Sequence, residues 1–135
     1  MKKIEKAAEL FKGGCNCSQA VFAAFADEFG MSEDQAKLIA CGLGGGVGRM
    51  REVCGAVSAA AMILGMRLGP DKMNAYPAIQ DFCAKFKERA GSIVCRELLA
   101  GTGATQGGAP EKRTVEYYEN RPCLGLVKLA AELLG

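Results

Sequence analysis

Histidine is missing from all 135 residues, and with it go the Ser-His and Cys-His nucleophile pairs, histidine-ligated zinc and C-x-x-C-H haem attachment. Long apolar runs are missing too: no stretch reaches the roughly 18 residues that a membrane span needs. The leading MKKIEKAAELFKGG has two early lysines. Glu5 and Glu9 interrupt the segment after them, so the apolar core of a signal peptide is absent. A cytoplasmic location is therefore expected, where thiols are kept reduced. Neither sign of charge dominates, with 17 Lys and Arg against 15 Asp and Glu and a net charge of +2. The charges are scattered and form no basic stripe, which argues against nucleic-acid and membrane partners and for small molecules or proteins.

What is present is sulfur and glycine, seven cysteines and 18 glycines. Half the residues are hydrophobic and 24% are charged, a globular balance in a chain long enough to bury one sizeable core. Residues 1–135 are read as a single domain. Disulfide staples belong to smaller secreted chains, so the cysteines are reactive, metal-binding or simply buried.

Hydrophobic periodicity predicts an all-α, compact multi-helix bundle with a glycine-rich loop and short helices. Ile4, Ala7, Ala8 and Phe11 share one face of a helix over 3–12 that Gly13-Gly14 stops. A second helix is expected from Cys17 through Phe29, with Gly30 as its stop. Ser32 and Gln35 form a capping box that opens a helix to about Cys41. GLGGGVG is then loop. The most apolar helix is expected over about 51–68, ended by Gly69-Pro70, and another over about 78–90, starting earlier if kinked at Pro77. Ser92 is expected to cap a helix through Leu99. GTGATQGGAP reads as a surface loop, Tyr117 and Tyr118 as a short helical piece, and Pro122 as the first residue of a last helix. No strand is expected.

On this map Cys17, Cys54, Cys95 and Cys123 each fall at or near a helix N-terminus, where partial positive charge and unpaired N–H groups favour thiolate over thiol. Gly55 and Ala56 beside Cys54 let a neighbouring backbone come close. The alternative is plain packing, since a cysteine is often a buried small hydrophobe. That alternative is stronger for Cys83, on a face with Ile79, Phe82 and Phe86, and for Cys41, which shares a face with Leu38. Cys15 is either an auxiliary thiol of a C-x-C or a turn filler. The glycine loop lacks the G-K-[ST] ending of a phosphate loop and the G-x-G-x-x-G spacing, so its glycines are read as allowing tight turns and close approach. Arg49 and Arg51 bind an anion, offset a thiolate, or are solvated surface charges.

GCNCSQAVFAAFADEFGMSEDQA, GLGGGVGRMREVCGAVSAAAMILG, GSIVCRELLAG and RPCLGLVKLAAELL together resemble the C-GCAxxG-C-C family of redox-active proteins, in order and over nearly the whole chain. The family's four cysteines map onto Cys17, Cys54, Cys95 and Cys123. Ala59 stands where the motif has its last glycine, and Cys15 where relatives often carry an aromatic residue. The resemblance implies a small all-helical protein found alongside transport or oxidoreductase functions. From the four-cysteine set we expect thiol-disulfide chemistry, with Cys54 as the attacking thiolate and a redox partner protein or small-molecule oxidant as partner. The alternative is electron transfer, with the same four thiolates holding an iron-sulfur cluster or a single metal ion. A third reading is a structural or interaction module with buried cysteines. An apolar central helix in a short chain suits a homodimer.

Overall fold

The computed structural model describes residues 2–135. Among them are eight helices and no strands. In chain order they are α1 (Lys3–Lys12), α2 (Cys17–Ala24), α3 (Glu33–Ala40), α4 (Gly55–Leu68), α5 (Lys72–Ala90), α6 (Cys95–Leu98), α7 (Val115–Asn120) and α8 (Cys123–Leu134). The all-α expectation holds. No helix is long and apolar enough to cross a membrane among the described residues.

The core forms where α2, α4 and α8 meet, with α1 laid across α2 and α8, and α5 across α4 and α8. Alanine makes this close packing possible. Ala20, Ala23 and Ala24 on α2 and Ala56, Ala59 and Ala60 on α4 are wholly buried, so the two backbones approach without large side chains between them. Phe11, Phe25, Ile63, Phe86 and Val127 fill the remaining volume, each almost completely buried. Truncating such a residue to alanine costs about 2–5 kcal/mol.

Helix ends differ from the sequence expectations where distant segments intervene. The second helix stops at Ala24 and continues as a separate 3₁₀ turn, Ala26–Phe29, before Gly30 turns left-handed at φ 67°. The central helix begins at Gly55 rather than near residue 51, because Arg51 sits at φ 60° and Val53 pairs with Val94 in an isolated antiparallel bridge. Ser92 does not cap a helix. Its hydroxyl accepts from the Val94 N–H and donates to Glu97, and α6 starts only at Cys95. The helix at 72–90 takes its early start, capped by Asp71 and carrying Pro77 inside it. Leu38 and Cys41 share no buried face: Leu38 is 80% exposed and Cys41 is exposed too.

Candidate active site

Three segments that lie far apart in sequence build the site, and each is held by hydrogen bonds to backbone groups. The first is the start of α2. Asn16 caps it, accepting from the Gln19 N–H, while the Gln19 side chain accepts from the Asn16 N–H. This fixes Cys17 as the first helical residue. The Asn16 amide also donates to the Cys41 carbonyl, and its side chain packs where a Cβ on Gly44 would stand, 2.3 Å away. Gly44 therefore has to be glycine for the loop to reach α2.

The second segment is that loop. Gly44–Val47 forms one helical turn broken by left-handed Gly45 and Gly46. Val47, Arg49 and Arg51 adopt φ of 64°, 69° and 60°, a conformation that costs a non-glycine residue about 1–3 kcal/mol. The loop is over-determined enough to hold them. The N–H groups of Arg51 and Glu52 donate to the carbonyls of Gly45 and Gly46. Arg49 donates to the carbonyls of Gly107 and Thr105 and pairs with Glu111. Gly46 admits no side chain, since a Cβ there would lie 2.8 Å from the Cys95 Cβ and 2.6 Å from the Glu52 nitrogen.

The third segment is the bridge. The Cys54 N–H donates to the Ile93 carbonyl at 2.8 Å, and the Cys95 N–H to the Glu52 carbonyl at 2.6 Å. Because Val53 faces Val94, Cys54 and Cys95 both point to the opposite side of the bridge, as diagonal neighbours about 7–8 Å apart. Exposure alternates accordingly: Val53 is 38% exposed, Cys54 5% and Cys95 7%. Cys54 is the N-cap of α4, Cys95 the first residue of α6 and Cys123 the first residue of α8. All four helix-start cysteines line one cavity of about 60 Å³, together with Arg51, Arg113 and Arg121.

Sharing a cavity does not make the four thiols alike. Cys17 is drawn down to about 6 from 9.0, chiefly because the Cys54 thiol donates to its sulfur, with the Gly45, Ser18 and Cys17 amides adding to the effect against burial. Cys54 is pushed well up, because it supplies that proton, is buried and faces the Cys17 charge. Cys95 is raised by burial, partly offset by Arg51, whose Nη1 donates to its sulfur at 3.7 Å. Cys123 is raised to about 12 by burial and by Cys17 and Cys95. Helix starts alone therefore do not make four thiolates. Burial outweighs the helix start at Cys95 and Cys123, while at Cys54 the bond to Cys17 raises the thiol ahead of burial, so the lowered thiol of the pair is Cys17.

Gly55 is what lets the pair form. A Cβ on it would stand 2.7 Å from the Cys17 sulfur and 2.9 Å from the Leu43 carbonyl, so only glycine admits the Cys17 sulfur to the start of α4. The other cysteines lie outside the cavity. Cys15 is half-buried and borders a separate groove with Lys3, Lys6 and Glu33. Cys83 is half-buried on α5. Cys41 is exposed at the edge of a groove lined by Arg49, Arg51, Arg113 and Arg121. Among the described residues, no group of three or more Cys, Asp, Glu or His is placed to hold a metal ion.

Residues 15–135 match the family model described as "Putative redox-active protein (C_GCAxxG_C_C)". The chain belongs to that family. No curated protein and no solved structure matches it. In this C_GCAxxG_C_C protein the motif segment from Cys54 to Ala59 is the N-cap and first turn of α4. Ala59, in the place of the motif's last glycine, is fully buried, so the extra methyl is accommodated within the core.

Sequence reasoning missed half of this C_GCAxxG_C_C site. Asn16 and Gln19 carried a readable signal, the N-cap and N3 positions of a capping box. Glu111, Arg113 and Arg121 carried none. Arg113 lies over the Phe11 ring at 4.2 Å and donates to the carbonyls of Phe11 and Cys15, across about a hundred residues of chain. Arg121 grips Glu111 at 2.6 Å and lies over Tyr117. Of the alternatives open for Arg51, solvated surface charge is overturned: its side chain is only 9% exposed and faces Cys95.

Proposed function

We propose that the protein is a thiol-disulfide redox protein in which Cys17 attacks and Cys54 resolves. The observation that carries this reading is the Cys17 sulfur lying against Gly55, the first residue of α4 and the neighbour of Cys54, in a cavity that Cys54 also lines. The family's redox character supports it. A thiolate beside a protonated thiol is the arrangement that two-step exchange needs, one sulfur ionised to attack and a second held back to resolve.

The steps balance with a small-molecule disulfide as oxidant. The Cys17 thiolate attacks one sulfur of the disulfide, forming a mixed disulfide and releasing one thiolate. That leaving thiolate takes the proton from Cys54. The Cys54 thiolate then attacks the Cys17 sulfur, closing an internal disulfide and releasing the second thiolate, which takes a proton from solvent. One disulfide is reduced to two thiols while two cysteines are oxidised, and an external dithiol reverses the change. Cys95 and Cys123 line the same cavity and stay protonated through this cycle.

Anaerobically isolated, reduced protein mixed with bis(2-hydroxyethyl) disulfide should release two equivalents of mercaptoethanol per chain. Peptide mapping after a short exposure should find Cys17 joined to Cys54, and Cys83 free. Stoichiometric iron and sulfide in the isolated protein, with visible absorption that bleaches on reduction, would overturn exchange in favour of a cluster. Thiols that stay inert in the folded chain would favour a structural module.

A further inference from the structure

A second, larger space lies beside the thiol cavity. A groove of about 350 Å³ shares Asn16, Gly45, Arg51, Arg113, Tyr117 and Arg121 with the cavity wall, so these side chains border both the groove and the thiols. Its volume falls at the small end of small-molecule sites. Its charge is lopsided. Arg49, Arg51, Arg113 and Arg121 line it, and Glu111 is the one acidic residue among the described residues of its lining. Four guanidinium groups against one carboxylate leave three positive charges uncompensated, and two when Cys17 is a thiolate.

These arginines are anchored within the protein. The side chains of Arg49, Arg51 and Arg121 are 13%, 9% and 7% exposed. Most of their donors are committed: Arg51 to Thr105, Cys95 and Glu111, and Arg49 to Gly107, Thr105 and Glu111. Arg121 is different. Its Nη2 alone holds Glu111, and its other two nitrogens make no hydrogen bond to any described residue. A largely buried side chain that borders both groove and thiol cavity and keeps Nε and Nη1 free can give an anion single charge-assisted hydrogen bonds, one from each nitrogen, while Nη2 stays on Glu111.

We propose that this groove binds the carboxylate of a small disulfide substrate, with Arg121 as the principal ligand and Arg51 and Arg113 beside it. The proposal rests on the exchange reading and names its substrate class: a low-molecular-weight disulfide carrying a carboxylate a few bonds from sulfur. The carboxylate lies on the arginines, which brings the sulfur over the cavity mouth towards Cys17. The arrangement also overcomes an intrinsic penalty, because a thiolate attacking an anionic disulfide is otherwise slowed by like-charge repulsion.

Three disulfides of similar size separate charge from reactivity: 3,3′-dithiodipropionate, neutral bis(2-hydroxyethyl) disulfide and cationic cystamine. At low ionic strength the dianion should oxidise the reduced protein about tenfold or more faster than the neutral reagent, and cystamine slower than both. Salt should shrink the ratio of dianion to neutral rates, and Arg121→Gln should lower it towards one. A dianion no faster than the neutral disulfide in wild type would overturn the anion site while leaving exchange intact. If none of the three reacts, exchange itself fails. Titration calorimetry with suberate, the unreactive carbon analogue of dithiodipropionate, then decides the groove alone: binding that weakens in Arg121→Gln sustains it, and no binding to wild type overturns it.

Discussion

On the proposed reading Cys17 and Cys54 share one proton at neutral pH, and the bond between the two sulfurs is the chief cause that draws Cys17 down and pushes Cys54 up. Cys17 gathers donors from its own amide, Ser18 and Gly45, while Cys54 is buried and supplies its proton to the bond between them. Gly55 is the residue on which that contact depends. Gly55→Ala places a methyl within 2.7 Å of the Cys17 sulfur, so it should destabilise the fold by about 1–3 kcal/mol and slow oxidation at Cys17. Gly65, ten residues along the same helix, has nothing near its would-be Cβ. Gly65→Ala should therefore stabilise by about 0.5–1 kcal/mol. Denaturant titration of both variants checks the pair, and equal effects would mean that the Gly55 contact is not tight.

Elements with local signals are legible in the amino-acid pattern alone. Helix α1 needs only its apolar spacing and Gly13, and α3 only Ser32 and Gln35. Elements whose ends are set by remote partners are not. The start of α4 slips by four residues because left-handed Arg51 and the pairing of Val53 with Val94 are invisible in the local pattern. The same bridge moves the start of α6 past Ser92. The site divides along the same line. The four helix-start cysteines can be named, because glycine, proline and periodicity mark helix ends. Which of them ionises cannot, because that depends on one sulfur meeting another 37 positions away and on a loop amide from Gly45. Arg113 and Arg121 carry no signal, since their partners are carbonyls, rings and a carboxylate brought in by the fold.

At the scale of the molecule, the same ionisations tie folding to pH. The Cys17 thiol, at about 6 in the folded chain against 9.0 ordinarily, is a lowered acid. Its stabilisation is fully present above about 9 and is lost as pH falls through about 6, so between these values the unfolded chain binds more protons and stability rises with pH. Cys54, Cys95 and Cys123 are raised. Above about 9 the unfolded chain loses protons there that the folded chain keeps, and stability falls. Reduced protein should therefore be most stable near pH 8–9 by denaturant titration, and Cys17→Ser should abolish the rise from pH 6 but not the fall above 9. A wild-type profile flat from pH 6 to 9 would contradict the ionised Cys17.

The central claim is that Cys17 is the thiolate and that Cys54 makes it so. Its most direct test is the rate of iodoacetamide alkylation at Cys17, followed by mass spectrometry from pH 4 to 10 in reduced wild type and in Cys54→Ala. The account predicts a wild-type midpoint at about 6, with Cys17 the first cysteine modified, and a midpoint displaced upward in the variant. Cys54 reacting first, or a Cys17 midpoint near the ordinary 9.0 in wild type, would contradict it.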